Sequence, residues 1–360
     1  MEVDFGAGPR RVPRSVVALN LTAGGLVPAE GRVDWSQLSA LPALRTMTWS
    51  GPDRGLVAAL TIHDIRFLEW HDAIGRLDLS STRLDTVRLS GTGLDSVRLS
   101  GLTRTLLVRR PPAALRVEAP EQGERLDLRW FCYDGALSIP DGLARVPTLW
   151  LWAGAGVSMR ALSSLTNLRD LRLTLDAAPG VVSDLDELGR HERLRRLQLG
   201  DAYGLDPATL PDLPALRELE LHGTRDTIVR ALQARFASGG GPVELSVTGA
   251  KSQEWLARFL HNPLQDWVDE SEPFARAACE AYEELVRVAE SVAPDAPDRM
   301  ASLECALRGF VARLNALDEE YELIDTILRE HAWVVYAALA ERLQVPAELA
   351  EEWFDDTRDW

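Results

Sequence analysis

Apolar residues along the first 250 positions recur as short groups with the spacing LxxLxL. They run Val16-Leu19-Leu21, Leu44-Met47-Trp49, Ile74-Leu77-Leu79, Leu84-Val87-Leu89 and Leu94-Val97-Leu99. They continue as Val146-Leu149-Leu151, Leu168-Leu171-Leu173, Leu194-Leu197-Leu199 and Leu216-Leu219-Leu221. In each LxL two apolar residues flank an intervening one, the pattern of a short strand with one inward face. One such strand cannot cover its own core, but parallel copies stacked about 4.8 Å apart can.

Taking the last residue of each LxL gives the series Leu21, Trp49, Trp70, Leu89, Val108, Leu128, Leu151, Leu173, Leu199, Leu221 and Val247. Its steps are close to one coil of about 20–29 residues. A second series, Ile62, Leu79, Leu99 and Val117, falls between the members of the first. The interval is too short for the chain to run out, turn and return. The spacing therefore predicts two strands per coil between about 57 and 128, one on each side. Within that stretch Ile74, Leu79, Leu84, Leu89, Leu94 and Leu99 recur every fifth residue.

These segments resemble the leucine-rich-repeat family, of a bacterial type, over roughly residues 15–250. Thr82 and Thr92 stand where that family usually has Asn or Cys. The five-residue stretch near 72–102 is similar to the square coil of pentapeptide-repeat proteins. The resemblance implies a solenoid of about eleven parallel concave strands and is almost silent on activity.

Later repeats are longer and leave room for a helical turn on the convex side. The candidates are Pro140–Val146, Met159–Leu165, Ser183–His191, Pro207–Leu213 and Arg225–Ala237. The solenoid should close at Gly239-Gly240-Gly241-Pro242 and a last strand, Val243–Thr248. From Ser252 the apolar period turns helical. Ser252 can cap a helix to about His261, and Asn262-Pro263 breaks it. Ser271 caps a second that ends at Pro294 and Pro297. A third starts near Asp298, a long fourth near Asp318, and a short fifth at Pro346. The fold class is thus α/β: a leucine-rich-repeat solenoid over 1–250, then an acidic all-helical domain over 251–360.

Charge separates the same two parts. The chain has a formal net charge of −16, with 30 acids against 29 bases before Lys251 and 25 against 10 from there on. Such a balance speaks against nucleic acid as a direct ligand and for a basic protein partner, although acidic helical surfaces also aid solubility. No apolar run is long enough to span a membrane, and the start lacks the apolar core of a secretory signal. Cys132, Cys279 and Cys305 are far apart and odd in number, so neither a disulfide framework nor a zinc knuckle is signalled. The expectation is a cytoplasmic protein with reduced thiols. Arginine supplies all the basic residues but Lys251, a usage that suggests a GC-rich bacterial genome.

The sequence offers little chemistry. Its glycine runs lack the Lys-Ser or Lys-Thr of a phosphate loop, and its six histidines show no metal spacing. No cofactor, metal site or catalytic set is expected, and the chain reads as a non-enzyme. The best functional surface is the concave sheet. There Trp150 and Trp152 face outward beside Arg129 and Arg172, with Glu220 and His222 further along. Tryptophan and arginine dominate binding hot spots. Trp152 could instead tuck under the Gly154 turn, or the helical domain could cover both rings. Trp130 to Tyr133 is a second candidate, partly core, and Trp353, Phe354 and Trp360 could form a docking tail or a cap. Three functions remain open: an adaptor or scaffold that binds a protein on the concave face, an immunity or inhibitor protein that neutralises a basic toxin or enzyme through its acidic helices, and an enzyme with its site in 251–360. The oligomeric state is left open.

Overall fold

The computed structural model describes the whole chain except residues 23–24, 134–136 and 239–242 and the side chain of Ser238. The expected Gly239–Pro242 closure lies outside the described residues. Contacts divide the chain into two units, Met1–Ala250 and Lys251–Trp360.

The first unit opens with an antiparallel pair, β1 (Glu2–Val3) and β2 (Arg10–Arg11). It continues through β3 (Ala18–Asn20), β4 (Thr46–Ser50), α1 (Leu56–Ile62), β5 (Phe67–His71), β6 (Ile74–Asp78), β7 (Thr86–Ser90), β8 (Gly93–Arg98), β9 (Thr105–Arg109) and β10 (Arg116–Glu118). Then come β11 (Asp127–Cys132), β12 (Thr148–Ala153), β13 (Gly156–Ser158), β14 (Asp170–Leu175), β15 (Val181–Ser183), β16 (Arg196–Gly200), β17 (Glu218–Arg225), α2 (Asp226–Ser238) and β18 (Glu244–Lys251).

Among the described residues one long sheet holds eleven of these strands, in the order β3-β4-β5-β7-β9-β11-β12-β14-β16-β17-β18. Pairing is parallel from β3 through β17. The inward rung runs Trp49, Trp70, Leu89, Val108, Trp130, Leu151, Leu173, Leu199 and Leu221, all buried in one continuous core. Each such side chain contributes about 1.5–3 kcal/mol on burial. This is the architecture of a leucine-rich-repeat solenoid.

The back of the coil changes along the chain. In the short coils β6, β8 and β10 pair in parallel as a second sheet. In the longer coils β13 and β15 pair in parallel as a further two-stranded sheet, and the return also passes through 3₁₀ turns, at Pro120–Gly123, Asp141–Leu143, Met159–Leu162, Leu185–Arg190 and Pro207–Thr209, with a helix at α2. Ser158 and Asp206 cap two of these turns by accepting from the backbone N–H of Arg160 and Ala208.

Four details correct the sequence reading. The outer strand expected at Ile62 is helix α1. Leu56, Ala59 and Leu60 place its buried side at helical spacing, and the Asp53 carboxylate accepts from Val57 N–H at 2.7 Å in its first turn. The rung residue on β11 is Trp130, not Leu128, because Val108 and Leu151 both pair with it. Ile74 breaks the five-residue series: it is 55 % exposed, while Leu79, Leu84, Leu89, Leu94 and Leu99 are buried. Of the two threonines, Thr82 is buried and donates to the Leu79 carbonyl at 2.7 Å, whereas Thr92 is exposed.

The second unit contains, among the described residues, five α-helices: α3 (Gln253–Phe259), α4 (Glu272–Ser291), α5 (Arg299–Tyr321), α6 (Thr326–Arg342) and α7 (Ala347–Thr357). Asn262 ends the first by holding two backbone groups, accepting from Leu264 N–H and donating to the Cys279 carbonyl. The expected break near Asp318 lies later. Asp318 does not cap a new helix; its carboxylate accepts from Ile324 N–H beyond the end of α5. Glu322 takes a left-handed conformation, and Asp325 caps α6 by accepting from Ile327 and Leu328. Trp353 and Phe354 are buried within this unit, where Phe354 meets the rings of Trp333, Tyr336 and Trp360. They serve its core rather than a free tail.

Candidate functional site

Strands β11, β12 and β14 alternate strictly between buried and half-buried positions. The half-buried residues form the outward face of the long sheet, and parallel register stacks them in rows. The middle row reads Leu107, Arg129, Trp150, Arg172, Gln198, Glu220. Beside it, toward the strand ends, run Arg109, Phe131, Trp152, Thr174, Gly200 and His222.

Trp150 is sandwiched. The guanidinium carbon of Arg129 lies 4.6 Å from its ring centre and that of Arg172 lies 4.1 Å away. Each cation is steadied by the acid two residues before it on its own strand: Arg129 with Asp127 at 3.3 Å, Arg172 with Asp170 at 3.4 Å. Asp170 also meets Arg196 at 3.4 Å, and Arg196 is bound in turn by Glu218. That bond from Glu218 holds the Arg196 guanidinium above its usual pKa, so its charge is secure. Cation–π contacts are worth about 0.5–2 kcal/mol each, depending on how dry they are.

In the neighbouring row Phe131 and Trp152 stack face to face, with ring centres 4.2 Å apart and planes 4° from parallel. Arg109 covers the Phe131 ring at 5.2 Å, and Trp152 touches Trp150 at 6.0 Å. Gly154 follows because nothing larger fits: a Cβ there would come within 2.4 Å of the Tyr133 carbonyl oxygen. Burial raises the pKa of the Tyr133 hydroxyl, and the negative charge of Asp176 adds to it.

The fold gathers four of the six residues named from the sequence. Arg129, Trp150, Trp152 and Arg172 form one cluster. Glu220 and His222 lie three rungs along from the tryptophans, roughly 14 Å at the strand spacing. Glu220 approaches Arg196 at 3.9 Å, and His222 Nδ1 lies 2.6 Å from Thr248 Oγ1. Phe131 was named from the sequence only within the separate candidate Trp130 to Tyr133, and Arg109 was not named; the fold brings both into the cluster. The signal for Phe131 was present, since it alternates with the buried Leu128, Trp130 and Cys132. What the arrangement offers is a rigid surface of aromatic faces and ion-paired arginines.

No protein-family model matches the chain, and no curated protein matches it. Among solved structures it aligns with a chain of the crystal structure of the LRIM1/APL1C complex at 11% sequence identity. That alignment covers 94% of this chain and 71% of the other, with a TM-score of 0.25, too low to bear on fold or function.

Proposed function

We propose that this chain is a non-catalytic adaptor that binds a protein partner on the outward face of the long sheet, centred on Trp150. The observation that carries this is the Arg129–Trp150–Arg172 sandwich beside the Phe131–Trp152 stack. Trp and Arg are the residue types that dominate hot spots, and rings already held by ion-paired arginines lose little freedom on binding. A cytoplasmic, bacterial setting suits the chain. Its three cysteines are far apart and odd in number, the Cys279 thiol is pushed up to about 12 mainly by burial, and arginine is nearly its sole cation. No helix among the described residues is long and apolar enough to cross a membrane.

The test is affinity capture from the native host with the full chain as bait. Trp150→Ala and Arg172→Ala should each weaken capture by about 2 kcal/mol or more, near thirtyfold, as truncating a hot spot does. Unchanged capture by both variants overturns the reading.

A second reading has an observation of its own. Between α4 and α5 lies an apolar groove of about 540 Å³ lined by Leu285, Val288, Ala306 and Phe310, in the unit with 25 acids against 10 bases. An inhibitor of a basic toxin or enzyme would use it. Salt-sensitive capture that survives Trp150→Ala but is lost with Gly309→Trp, which fills that groove, selects this reading.

A further inference from the structure

The aromatic faces of the long sheet follow a rule with one exception. Arg88 covers Phe67 at 4.7 Å, Arg109 covers Phe131 on one side, and Arg129 and Arg172 cover both sides of Trp150. The second side of Phe131 is taken by Trp152. Among the described residues, Trp152 has ring contacts with Phe131 and Trp150 alone and no cation over it.

The register says where its open face points. Phe131 and Trp152 occupy successive rungs and stack in parallel, so the other face of Trp152 turns toward the next rung, β14. On that strand Arg172 pairs with Trp150 and Thr174 pairs with Trp152. Thr174 therefore holds the place relative to Trp152 that an arginine holds relative to Trp150. The rung beyond presents Gly200, which has no side chain.

A carboxylate stands near this ring. Asp176 follows Thr174 by two residues, and its backbone N–H donates to the Ala153 carbonyl at 2.8 Å, next to Trp152. Its carboxylate is exposed and makes no ion pair among the described residues. Asp176 acts on the Tyr133 hydroxyl together with the opposing charges of Arg109 and Arg110.

Building on the interface reading above, we propose that the open face of Trp152 receives an arginine side chain of the partner, with Asp176 as its counter-charge. A guanidinium is planar, weakly hydrated and stacks on rings, whereas an ammonium is a strongly hydrated point charge. The rows already use arginine for every cation placed over a ring.

The experiment follows indole N–H resonances of the full chain during titration with the acetylated, amidated peptide Gly-Ser-Arg-Ser-Gly. The Trp152 resonance is assigned from Trp152→Phe. A saturable shift at Trp152 is expected, weaker with lysine in place of arginine and lost with citrulline, which keeps the planar shape without the charge. Thr174→Arg should supply the missing cation from within the chain, as Arg172 does for Trp150, and weaken the peptide about tenfold or more. Asp176→Asn should weaken it severalfold. No saturable shift at Trp152, equal binding of citrulline, or unchanged binding to Thr174→Arg overturns the proposal. If Trp150→Ala abolishes partner capture while the peptide shows none of these differences, the interface reading stands and only the arginine assignment falls. If capture survives Trp150→Ala and Arg172→Ala, the interface reading falls whatever the peptide does.

Discussion

The short and long coils of the solenoid solve one problem in two ways. From Trp70 to Leu89, and again from Leu89 to Val108, successive rungs are 19 residues apart, and the chain returns as a second sheet. From Val108 onward rungs are 21 to 26 residues apart, and beyond β10 the return passes through 3₁₀ turns with only one further strand pair among the described residues, β13 with β15. Shorter coils keep more of the back as strand, because a strand covers more distance per residue than a helical turn. The front is one continuous ladder throughout. The aromatic cluster begins where the coils widen, on β11, β12 and β14.

The joint between the two regimes is the most sensitive place to test this. Gly142, in the 3₁₀ turn Asp141–Leu143, packs on β10, the last strand of the second sheet. A Cβ on Gly142 would sit 1.8 Å from the Val117 carbonyl oxygen. Gly142→Ala should therefore cost more than about 5 kcal/mol, beyond what most substitutions reach. Near-normal denaturant unfolding of that variant would show that the joint is loose. Trp130→Ala, in the first long coil, should cost about 3–5 kcal/mol by leaving a cavity, and Leu94→Ala, in a short coil, about 2–5. If Leu94→Ala proves the costlier, the short coils are the stiffer part.

A smaller effect sets the two units side by side. His191 in the first and His331 in the second are both held below the usual imidazole pKa, chiefly by burial. The unfolded chain then binds protons more readily than the folded one below about pH 6.5. The stability each neutral ring supports is complete above that pH and is lost as pH falls through the lower folded value. His331 accepts at Nδ1 from Trp267 Nε1–H at 3.0 Å, so protonation there breaks a bond as well. His331→Gln should flatten the fall in unfolding midpoint between pH 7 and 5, the interval set by the ordinary imidazole value. An unaltered pH profile would mean that His331 titrates freely. The smallest expected change is a gain: Gly309 lies in α5 with open space where a Cβ would go, so Gly309→Ala should stabilise by about 0.5–1 kcal/mol in thermal unfolding.

Much of this was legible in the chain. Leu149, Leu151, Leu171 and Leu173 declare inward positions by alternation alone, and that placed Trp150 and Arg172 outward on adjacent strands. The capping residue Ser252 was equally plain. Illegible were features decided by competition between elements. Ile62 suits a strand in isolation, yet the Leu56-Ala59-Leu60 side made that segment helical. Leu128 and Trp130 are both apolar and both inward, so only pairing with Val108 and Leu151 told which one holds the rung. Asp318 resembles a helix start, but its side chain accepts from Ile324 N–H after α5 has ended.

By itself the sequence determined the repeat, the inward face of each strand, the change from strand to helix after residue 250 and the uneven charge, because each follows from local period or composition. Only the tertiary structure decided that Phe131 joins Trp152, that two arginines close over Trp150 and that one face of Trp152 stays open. Those contacts join residues about twenty positions apart across hydrogen-bonded strands. Their geometry depends on register, and register is settled by the whole ladder at once rather than by any single repeat.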